Sequence, residues 1–373
     1  MTKHLDSLKI QNFRMLEDFE VPTLGQVNLI VGKNNSGKST VLEALRVYAG
    51  NANQKLLEEL AQARSEKYIL EDNDYLLELP FEGFFTGRTI SEGKKIKIAS
   101  PNSYLELTLG FLQEQVIQKQ RDGELIPIRQ VITTLSRNEL LDSDYEEVIV
   151  VLRNGEIIDR LRTSQKTVLF NREYTKFLSS SFVPTRSIQM SELAADWDKI
   201  VFSEHEETIK TALQIIEPEL LDITFIQDKY RTRSRDSRIA IVKLKHQSKP
   251  VSLNSLGDGM TRVLQMVLKI FAAKDGFLLI DEFENGLHYS VQEQVWGLIF
   301  EMAQRLNIQV FATTHSWDCI EAFSKVANQR ADMEGVLIKM GRSIRENNKG
   351  QVIASVFNEE ELAQLTQADV ELR

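Results

Sequence analysis

The stretch VNLIVGKNNSGKSTVLEAL, residues 27–45, decides the fold of this chain. It begins with an apolar run, Val27–Val31, which predicts a buried strand, and it ends in apolar residues at the spacing of an α-helix. The turn between them matches the pattern G-x-x-x-x-G-K-[ST], with its fixed places held by Gly32, Gly37, Lys38 and Ser39. A strand before this pattern and a helix after it form the context that a phosphate-binding loop requires. The sequence therefore predicts an α/β fold with a phosphate site at this turn.

Each fixed residue of this turn, the P-loop, has a physical role in binding a nucleotide. The glycines allow backbone N–H groups to close around phosphate oxygens, and the N-terminus of the following helix adds partial positive charge. Lys38 is expected to reach the β- and γ-phosphates, and the Ser39 hydroxyl is expected to bind Mg²⁺. The candidate nucleotide-binding residues of the P-loop are Gly32, Asn34, Asn35, Ser36, Gly37, Lys38, Ser39 and Thr40.

A second motif, FLLIDEFENGLH at residues 277–288, places acids directly after an apolar run. Such a run predicts a strand buried in a parallel sheet, and open α/β sheets bind ligands at the carboxyl ends of their strands. Asp281 is therefore the candidate second Mg²⁺ ligand beside Ser39, and Glu282 is the candidate general base for an attacking water. For Glu284 the sequence predicts no function, and we expect it in a solvated turn.

The two motifs are separated by most of the 373 residues, which predicts large insertions within one nucleotide-binding fold. We expect a core formed by residues 1–60 and 250–373. Residues 61–175 alternate between apolar and polar positions and contain the turn signal Asn154-Gly155, which together predict an antiparallel β-rich lobe. Residues 176–249 are expected to form a helical insertion and a basic hairpin. The sequence has no sustained heptad repeat, which excludes a long coiled coil.

The composition is typical of a globular chain. Hydrophobic residues make up 42% of the sequence and charged residues 27%, which is sufficient for a large core. Cys319 is the single cysteine, and no apolar run approaches the roughly 18 residues of a membrane span. The N-terminus lacks a signal-peptide pattern, so we expect a cytoplasmic protein that does not bind membranes. The net charge of -9 argues against a chain that coats nucleic acid.

A serine and two glycines open a predicted helix shortly before the acidic motif. In VSLNSLGDGMTRVLQ these residues are Ser255, Gly257 and Gly259, and helix capping is one explanation for them. The segment also resembles the signature motif of ATP-binding cassette ATPases, S-G-G-[QE]. Ser255 and Gly257 fill two of its four places, whereas Leu256 and Asp258 depart from it. The resemblance implies that Ser255 and Gly257 bind the nucleotide.

Other segments resemble the same superfamily and occur in the same order. The strand IQVFATTH ends at His315, where cassette ATPases place a histidine that contacts the γ-phosphate; a structural histidine is the alternative. Asn285–His288 fall at the position of the D-loop, and Gln189 is the candidate for the Q-loop glutamine. The resemblance implies a single ATPase head over residues 1–373 that uses ATP and Mg²⁺. The candidate catalytic residues are Lys38, Glu282 and His315.

Several blocks resemble one branch of the superfamily, the OLD-type (overcoming lysogenization defect) ATPases. They are LKIQNFRMLEDFEVP, FVPTRSIQMSELAADWDKIVFSEH, SLGDGM, LLIDEFENGLHYS and FATTHSWDCIEAF. OLD nucleases continue into a Toprim nuclease domain, and we expect none here because the chain ends at Arg373. The chain therefore resembles the stand-alone ATPase subunits of this group. That resemblance implies a separately encoded effector and a role in bacterial anti-phage defence.

The resemblance also implies that two heads sandwich ATP, so that the P-loop of one copy meets Ser255 of another. Hydrolysis would open this homodimer and act as a conformational switch. The alternatives are a RecF-like DNA repair ATPase, a transporter ATPase subunit and a nucleotide sensor without turnover. DNA binding is a further expectation, since a basic segment could contact phosphates, although a solvated hairpin explains it equally well. Its basic residues are Lys229, Arg231, Arg233, Arg235, Arg238, Lys243 and Lys245.

Overall fold

A computed structural model of the protein describes residues 3–66, 79–121, 124–139, 144–162, 177–228, 238–330 and 332–367. The helices in these ranges are α1 (Lys38–Ala49), α2 (Gln54–Ala63), α3 (Met190–Asp198), α4 (His205–Gln214), α5 (Asp258–Ala272), α6 (Tyr289–Arg305), α7 (Trp317–Gln329) and α8 (Glu359–Gln367). The strands are β1 (Leu8–Phe13), β2 (Leu16–Val21), β3 (Val27–Val31), β4 (Lys95–Ser100), β5 (Ser103–Arg121), β6 (Glu124–Thr134), β7 (Glu146–Arg153), β8 (Glu156–Arg162), β9 (Ser179–Val183), β10 (Leu220–Gln227), β11 (Arg238–Leu244), β12 (Val251–Ser252), β13 (Gly276–Ile280), β14 (Gln309–Thr314), β15 (Gly335–Arg342) and β16 (Val352–Phe357).

A sheet in the order β16-β15-β3-β14-β13-β9 forms the centre of the core. Strands β15, β3, β14, β13 and β9 are parallel, and β16 is antiparallel at the edge. The apolar runs of β3 and β13 are buried at every residue, as expected for strands in a parallel sheet covered on both faces. The carboxyl ends of the parallel strands meet at one edge. This arrangement confirms the predicted α/β fold and places the P-loop and the acidic motif at the same edge.

A second sheet is antiparallel, with the order β2-β1-β4-β5-β7-β8 and with β6 paired to β5. The predicted turn at Asn154-Gly155 joins β7 to β8. Its two residues have φ angles of 52° and 87°, as a type I′ turn requires. The pairing of β5 with β7 ends at Leu112, and the backbone of β5 and β6 continues as a two-stranded ribbon to Arg121 and Glu124.

The observed sheets cross two of the domain boundaries expected from the sequence. Strands β1 and β2, from residues 1–60, lie in the same sheet as strands from residues 61–175, so the β-rich part is continuous with the core. Strand β9, from residues 179–183, lies within the expected helical insertion but pairs with β13 in the parallel sheet. Local alternation of apolar residues predicts strands but not their distant partners, which explains both differences.

The helices α3 and α4 pack on α5, next to a small sheet in the order β10-β11-β12. The apolar face of α4 contains Ile209 and Leu213, which are fully buried, and Ile216, just after the helix, packs partly buried against the same core. This core also contains Val263 and Leu264 of α5. Within the described part of the chain, no helix combines the length and the apolar character needed to cross a membrane.

The basic segment after β10 is described only in part. Arg238 Nη1 forms an ion pair with Asp198 Oδ2 at 2.5 Å, and Lys243 and Lys245 are exposed. The remaining basic residues of the segment lie outside the described residues, and they are Lys229, Arg231, Arg233 and Arg235. DNA binding through this segment stays a prediction.

Candidate active site

The P-loop between β3 and α1 has a backbone suited to an anion. Gly32 and Gly37 have φ angles of 149° and 98°, in a region that side chains rarely adopt. A Cβ atom on Gly32 would lie 2.5 Å from the carbonyl oxygen of Met340, so β15 leaves no space for a side chain. No side chain caps α1 at Gly37, which leaves the N–H groups of its first turn available to phosphate oxygens. The buried Ser36 Oγ also has no hydrogen-bond partner among the described residues.

The Lys38 side chain lies over this loop. Its Nζ donates hydrogen bonds to the carbonyl oxygens of Gly32, at 2.7 Å, and Lys33, at 3.2 Å. Burial lowers the pKa of Lys38, and the three carboxylates of the acidic motif oppose that shift. Asn34 and Asn35 are exposed on the loop, and Thr40 is buried in α1. The predicted nucleotide-binding residues therefore lie together on one turn and at the start of α1.

Asp281 joins the two sequence motifs. Ser39 Oγ donates a hydrogen bond to its carboxylate, with distances of 3.0 and 3.1 Å to the two oxygens. Thr313 Oγ1, on β14, donates to Asp281 Oδ1 at 2.7 Å, and Thr185 Oγ1, after β9, donates to Oδ2 at 3.4 Å. Gln189, the candidate Q-loop residue, is exposed at the N-terminus of α3. Thr185, four residues earlier in the chain, is the residue of this segment that contacts Asp281. Carboxylate and hydroxyl oxygens are ligands that suit Mg²⁺.

Glu282 and His315 face each other beside Asp281. The Glu282 Oε1 atom lies 3.8 Å from His315 Nδ1, and both side chains are partly exposed. Glu282 has a φ angle of 49°, and its backbone N–H donates to Thr313 Oγ1 at 2.8 Å. A carboxylate that water can reach, next to a histidine at the end of the neighbouring strand, has the position that a general base requires.

The expectation of a solvated turn is wrong for Glu284. Its side chain is only 14% exposed. Its Oε2 atom accepts a hydrogen bond from Thr314 Oγ1 at 2.7 Å, and its Oε1 atom accepts one from the backbone N–H of His315 at 3.1 Å. An acid two residues after Glu282 is equally common in solvated loops, so the pattern alone could not identify this contact.

Arg262 of α5 is a buried site residue that the sequence did not predict. Its Nη2 atom donates hydrogen bonds to the carbonyl oxygens of Asp281 and Glu282, both at 2.7 Å. Its Nη1 atom donates to the carbonyl oxygen of Pro184 at 2.5 Å. Burial lowers the pKa of Arg262 to about 10, which leaves the guanidinium charged at neutral pH. One side chain therefore holds the ends of β13 and β9 together.

Replacement of Arg262 by leucine is expected to lower the free energy of unfolding by roughly 2–5 kcal/mol, because three partly buried carbonyl oxygens lose their donor. Urea unfolding followed by circular dichroism measures this change. The control is Arg305→Leu on the exposed surface of α6, where the change should stay within about 0.5 kcal/mol. Equal stability of the two variants would show that the Arg262 contacts do not support the fold.

The signature-like segment contacts the predicted D-loop. Ser255 Oγ donates to the carbonyl oxygen of Ser252 at 2.6 Å, and Gly257, with a φ angle of 99°, precedes α5. A Cβ atom on Gly259 would lie 3.1 Å from the carbonyl oxygen of Gly286, so this segment packs on the predicted D-loop. No hydrogen bond or ion pair between described residues joins Ser255 or Gly257 to the P-loop. Within one chain, the structure does not bring these two candidates to the site.

Comparison with known proteins identifies related chains. A profile of the family described as "AAA domain, putative AbiEii toxin, Type IV TA system" matches residues 27–318. The ATP/GTP phosphatase of Helicobacter pylori is 23% identical over 346 residues, which cover 87% of this chain and 89% of that protein. The OLD nuclease of Thermus scotoductus is 23% identical over 324 residues, which cover 84% of this chain and 59% of that nuclease.

A solved structure is similar in fold along nearly the whole chain. The SmcHead bound to the C-winged helix domain of ScpA superposes with a TM-score of 0.50 and 12% sequence identity, over 95% of this chain and 98% of that chain. The family match spans well over half of the sequence and includes the P-loop, Asp281, Glu282 and His315. This chain therefore belongs to that AAA-domain family of ATPases and has the fold of an ATP-binding cassette head.

Proposed function

We propose that this protein is a Mg²⁺-dependent ATPase whose heads pair around ATP and act as a conformational switch for a separate effector. The observation that carries the proposal is the contact of Ser39 with Asp281, 3.0 Å apart, beside Glu282 and His315. Together they offer a metal site, a carboxylate for water and a contact for the γ-phosphate, which ATP hydrolysis requires. Ser255 is not among them, so a second copy of the chain completes the site.

The P-loop residues bind the triphosphate. The N–H groups of the first turn of α1 donate to phosphate oxygens, and Lys38 Nζ exchanges its contacts with Gly32 and Lys33 for the β- and γ-phosphates. Ser39 Oγ and Asp281 would hold Mg²⁺, which would neutralise charge on the phosphoryl oxygens. The loop residues assigned to nucleotide binding are Gly32, Asn34, Asn35, Ser36, Gly37, Lys38, Ser39 and Thr40.

Glu282 and His315 act at the γ-phosphate. The Glu282 carboxylate accepts a proton from water as the water oxygen attacks the γ-phosphorus, and the bond from the γ-phosphorus to the β–γ bridging oxygen breaks, so that ADP is the leaving group. The His315 ring contacts a γ-phosphate oxygen, and Ser255 and Gly257 of the second copy donate to the same group through a hydroxyl and a backbone N–H. Release of the γ-phosphate after hydrolysis removes the contacts between the two heads. The homodimer then opens, which is the switching step.

Resemblance to other proteins supports the proposal that a separate effector exists and that the protein acts in anti-phage defence. The description of the matched family names a toxin–antitoxin system, and an OLD nuclease is among the similar proteins. The match covers 59% of the length of that nuclease. A RecF-like role in DNA repair is the alternative. It would use the same ATP chemistry but would respond to DNA.

Phosphate release and DNA integrity, measured in one reaction, test the proposed function. Purified protein with Mg²⁺-ATP is expected to release phosphate and to leave linear and supercoiled DNA intact, because the carboxylates of the acidic motif serve the ATP site. Lys38→Ala protein, prepared in parallel, controls for contaminating ATPases and nucleases. Absence of phosphate release, or DNA cleavage that survives repurification and is lost in a point variant, would contradict the proposal. Stimulation of phosphate release by DNA would favour the RecF-like alternative.

A further inference from the structure

We propose that Glu284 is a positioning residue that fixes His315 at the γ-phosphate site. The inference rests on the proposed ATPase function, because that function gives the His315 ring its contact with the nucleotide. Between described residues, no hydrogen bond or ion pair joins Glu284 to the P-loop. It acts through the end of β14, to which it is bound at two adjacent residues.

The carboxylate of Glu284 determines the course of the chain where β14 ends. One oxygen accepts the Thr314 hydroxyl at 2.7 Å, and the other accepts the backbone N–H of His315 at 3.1 Å. Thr314 Oγ1 in turn accepts the backbone N–H of Ser316 at 3.0 Å, and Ser316 Oγ caps α7 at Cys319. Hydrogen bonds therefore connect Glu284 through β14 to the start of α7, and His315 lies in the middle of this connection.

The segment that carries Glu284 is itself held by the core. The fully buried Phe283 ring stacks on Trp296, with centroids 3.9 Å apart and 6° between the ring planes. The backbone N–H of Phe283 donates to the Thr313 carbonyl oxygen at 2.9 Å, and the N–H of Leu287 donates to the Glu284 carbonyl oxygen at 2.9 Å. The position of the Glu284 carboxylate thus follows from the packing of β13, β14 and α6.

His315 lies between two carboxylates with different surroundings. Its Nδ1 atom is 3.8 Å from Glu282 Oε1, and its Nε2 atom is 3.6 Å from Glu284 Oε1. The Glu282 side chain is 36% exposed, whereas that of Glu284 is 14% exposed and accepts two hydrogen bonds from the end of β14. The more exposed carboxylate suits reaction with water. The more buried carboxylate suits orientation of the histidine, because each of its oxygens already accepts a hydrogen bond.

A double-mutant cycle tests whether Glu284 acts through His315. Glu284→Ala is expected to lower kcat by about 10- to 100-fold, because His315 loses its orientation, and to leave KM for ATP within about twofold. Glu284→Gln should recover most of kcat, since its amide oxygen can still accept the His315 N–H. In a His315→Ala background, Glu284→Ala should cause no further loss. Glu301→Ala, an acid on the exposed surface of α6, is the matched control and should keep wild-type kcat.

A measurement without turnover separates this proposal from the proposed function. The chain has five histidines, so the ring signals of His315 can be assigned in a ¹H–¹⁵N spectrum with the His315→Ala variant. We expect Glu284→Ala to shift these signals and Glu301→Ala to leave them in place. Absence of phosphate release by the wild-type protein would contradict the proposed ATPase function. The spectrum would still test whether Glu284 positions the His315 ring. Unchanged His315 signals, wild-type kcat in Glu284→Ala, or an additive loss in the cycle would overturn the inference.

Discussion

Replacement of Glu282 by glutamine is expected to lower kcat for ATP hydrolysis by about 10²- to 10⁴-fold, the range that a general base contributes. The amide retains the shape of the side chain but cannot accept the proton of the attacking water. ATP affinity should change little, because the contacts of Lys38 and Ser39 with the nucleotide are unaffected. The γ-phosphate then remains between the heads, so ATP should hold the dimer together for longer than in the wild-type protein.

Size-exclusion chromatography in Mg²⁺-ATP, combined with a phosphate-release assay, measures both effects. The Glu282→Gln protein should elute as a dimer with ATP and as a monomer with ADP. Glu301→Gln carries the same substitution on the exposed surface of α6 and should behave as the wild type. A Glu282→Gln protein that remains monomeric in ATP while retaining wild-type turnover would exclude both the general base and the ATP sandwich.

Two inactive variants, Lys38→Ala and Ser255→Arg, are expected to regain activity when they are mixed. In a head-to-tail dimer, each ATP lies between Lys38 of one copy and Ser255 of the other. A mixed dimer therefore contains one site in which both residues are intact. If the copies exchange freely and the sites are independent, half of the dimers are mixed, and the mixture should reach roughly a quarter of the wild-type rate.

The two variants should differ in nucleotide binding. Lys38→Ala should lose affinity for ATP, because it loses a charge at the β- and γ-phosphates. Ser255→Arg should bind ATP at its own P-loop and fail to hydrolyse it, because the bulky side chain occupies the opposing γ-phosphate position. Equilibrium binding of a fluorescent ATP analogue, with phosphate release from the mixture, measures both properties. Equal loss of affinity in both variants without recovery on mixing would place Ser255 in the site of its own chain.

The meeting of the P-loop with Asp281 could be predicted from the sequence for a physical reason. Apolar runs predict buried parallel strands, and the carboxyl ends of parallel strands share one edge of the sheet. Residues that follow two such runs must therefore approach each other even when most of the chain separates them. The contact of Ser39 with Asp281 at 3.0 Å is the result. The helix of Ile209 and Leu213 and the turn at Asn154-Gly155 were predictable because local patterns determine them.

The residues that support the site were not predictable in this way. Arg262 lies on a helix whose pattern indicates only an apolar face, and its partners are backbone carbonyl oxygens, which carry no sequence signal. The sequence could not distinguish Glu284 from a solvated acid, because its partners lie at the end of a different strand. In the antiparallel sheet, β1 and β2 are joined to the later strands by the pairing of β1 with β4. Local alternation of apolar and polar residues does not specify this pairing. In each case the deciding contact is long-range and involves the backbone.

The left-handed backbone of Glu282 has a consequence for the evolution of the protein. A φ angle of 49° costs a residue with an ordinary side chain roughly 1–2 kcal/mol, a penalty that glycine avoids. Hydrogen bonds from Arg262 to its carbonyl oxygen and from its N–H to Thr313 hold it in this conformation. Folding stability and ATP turnover therefore place opposite demands on one position. In the proposed mechanism, a screen for heat resistance alone would favour glycine there and would select a more stable protein without the carboxylate that accepts the proton of water.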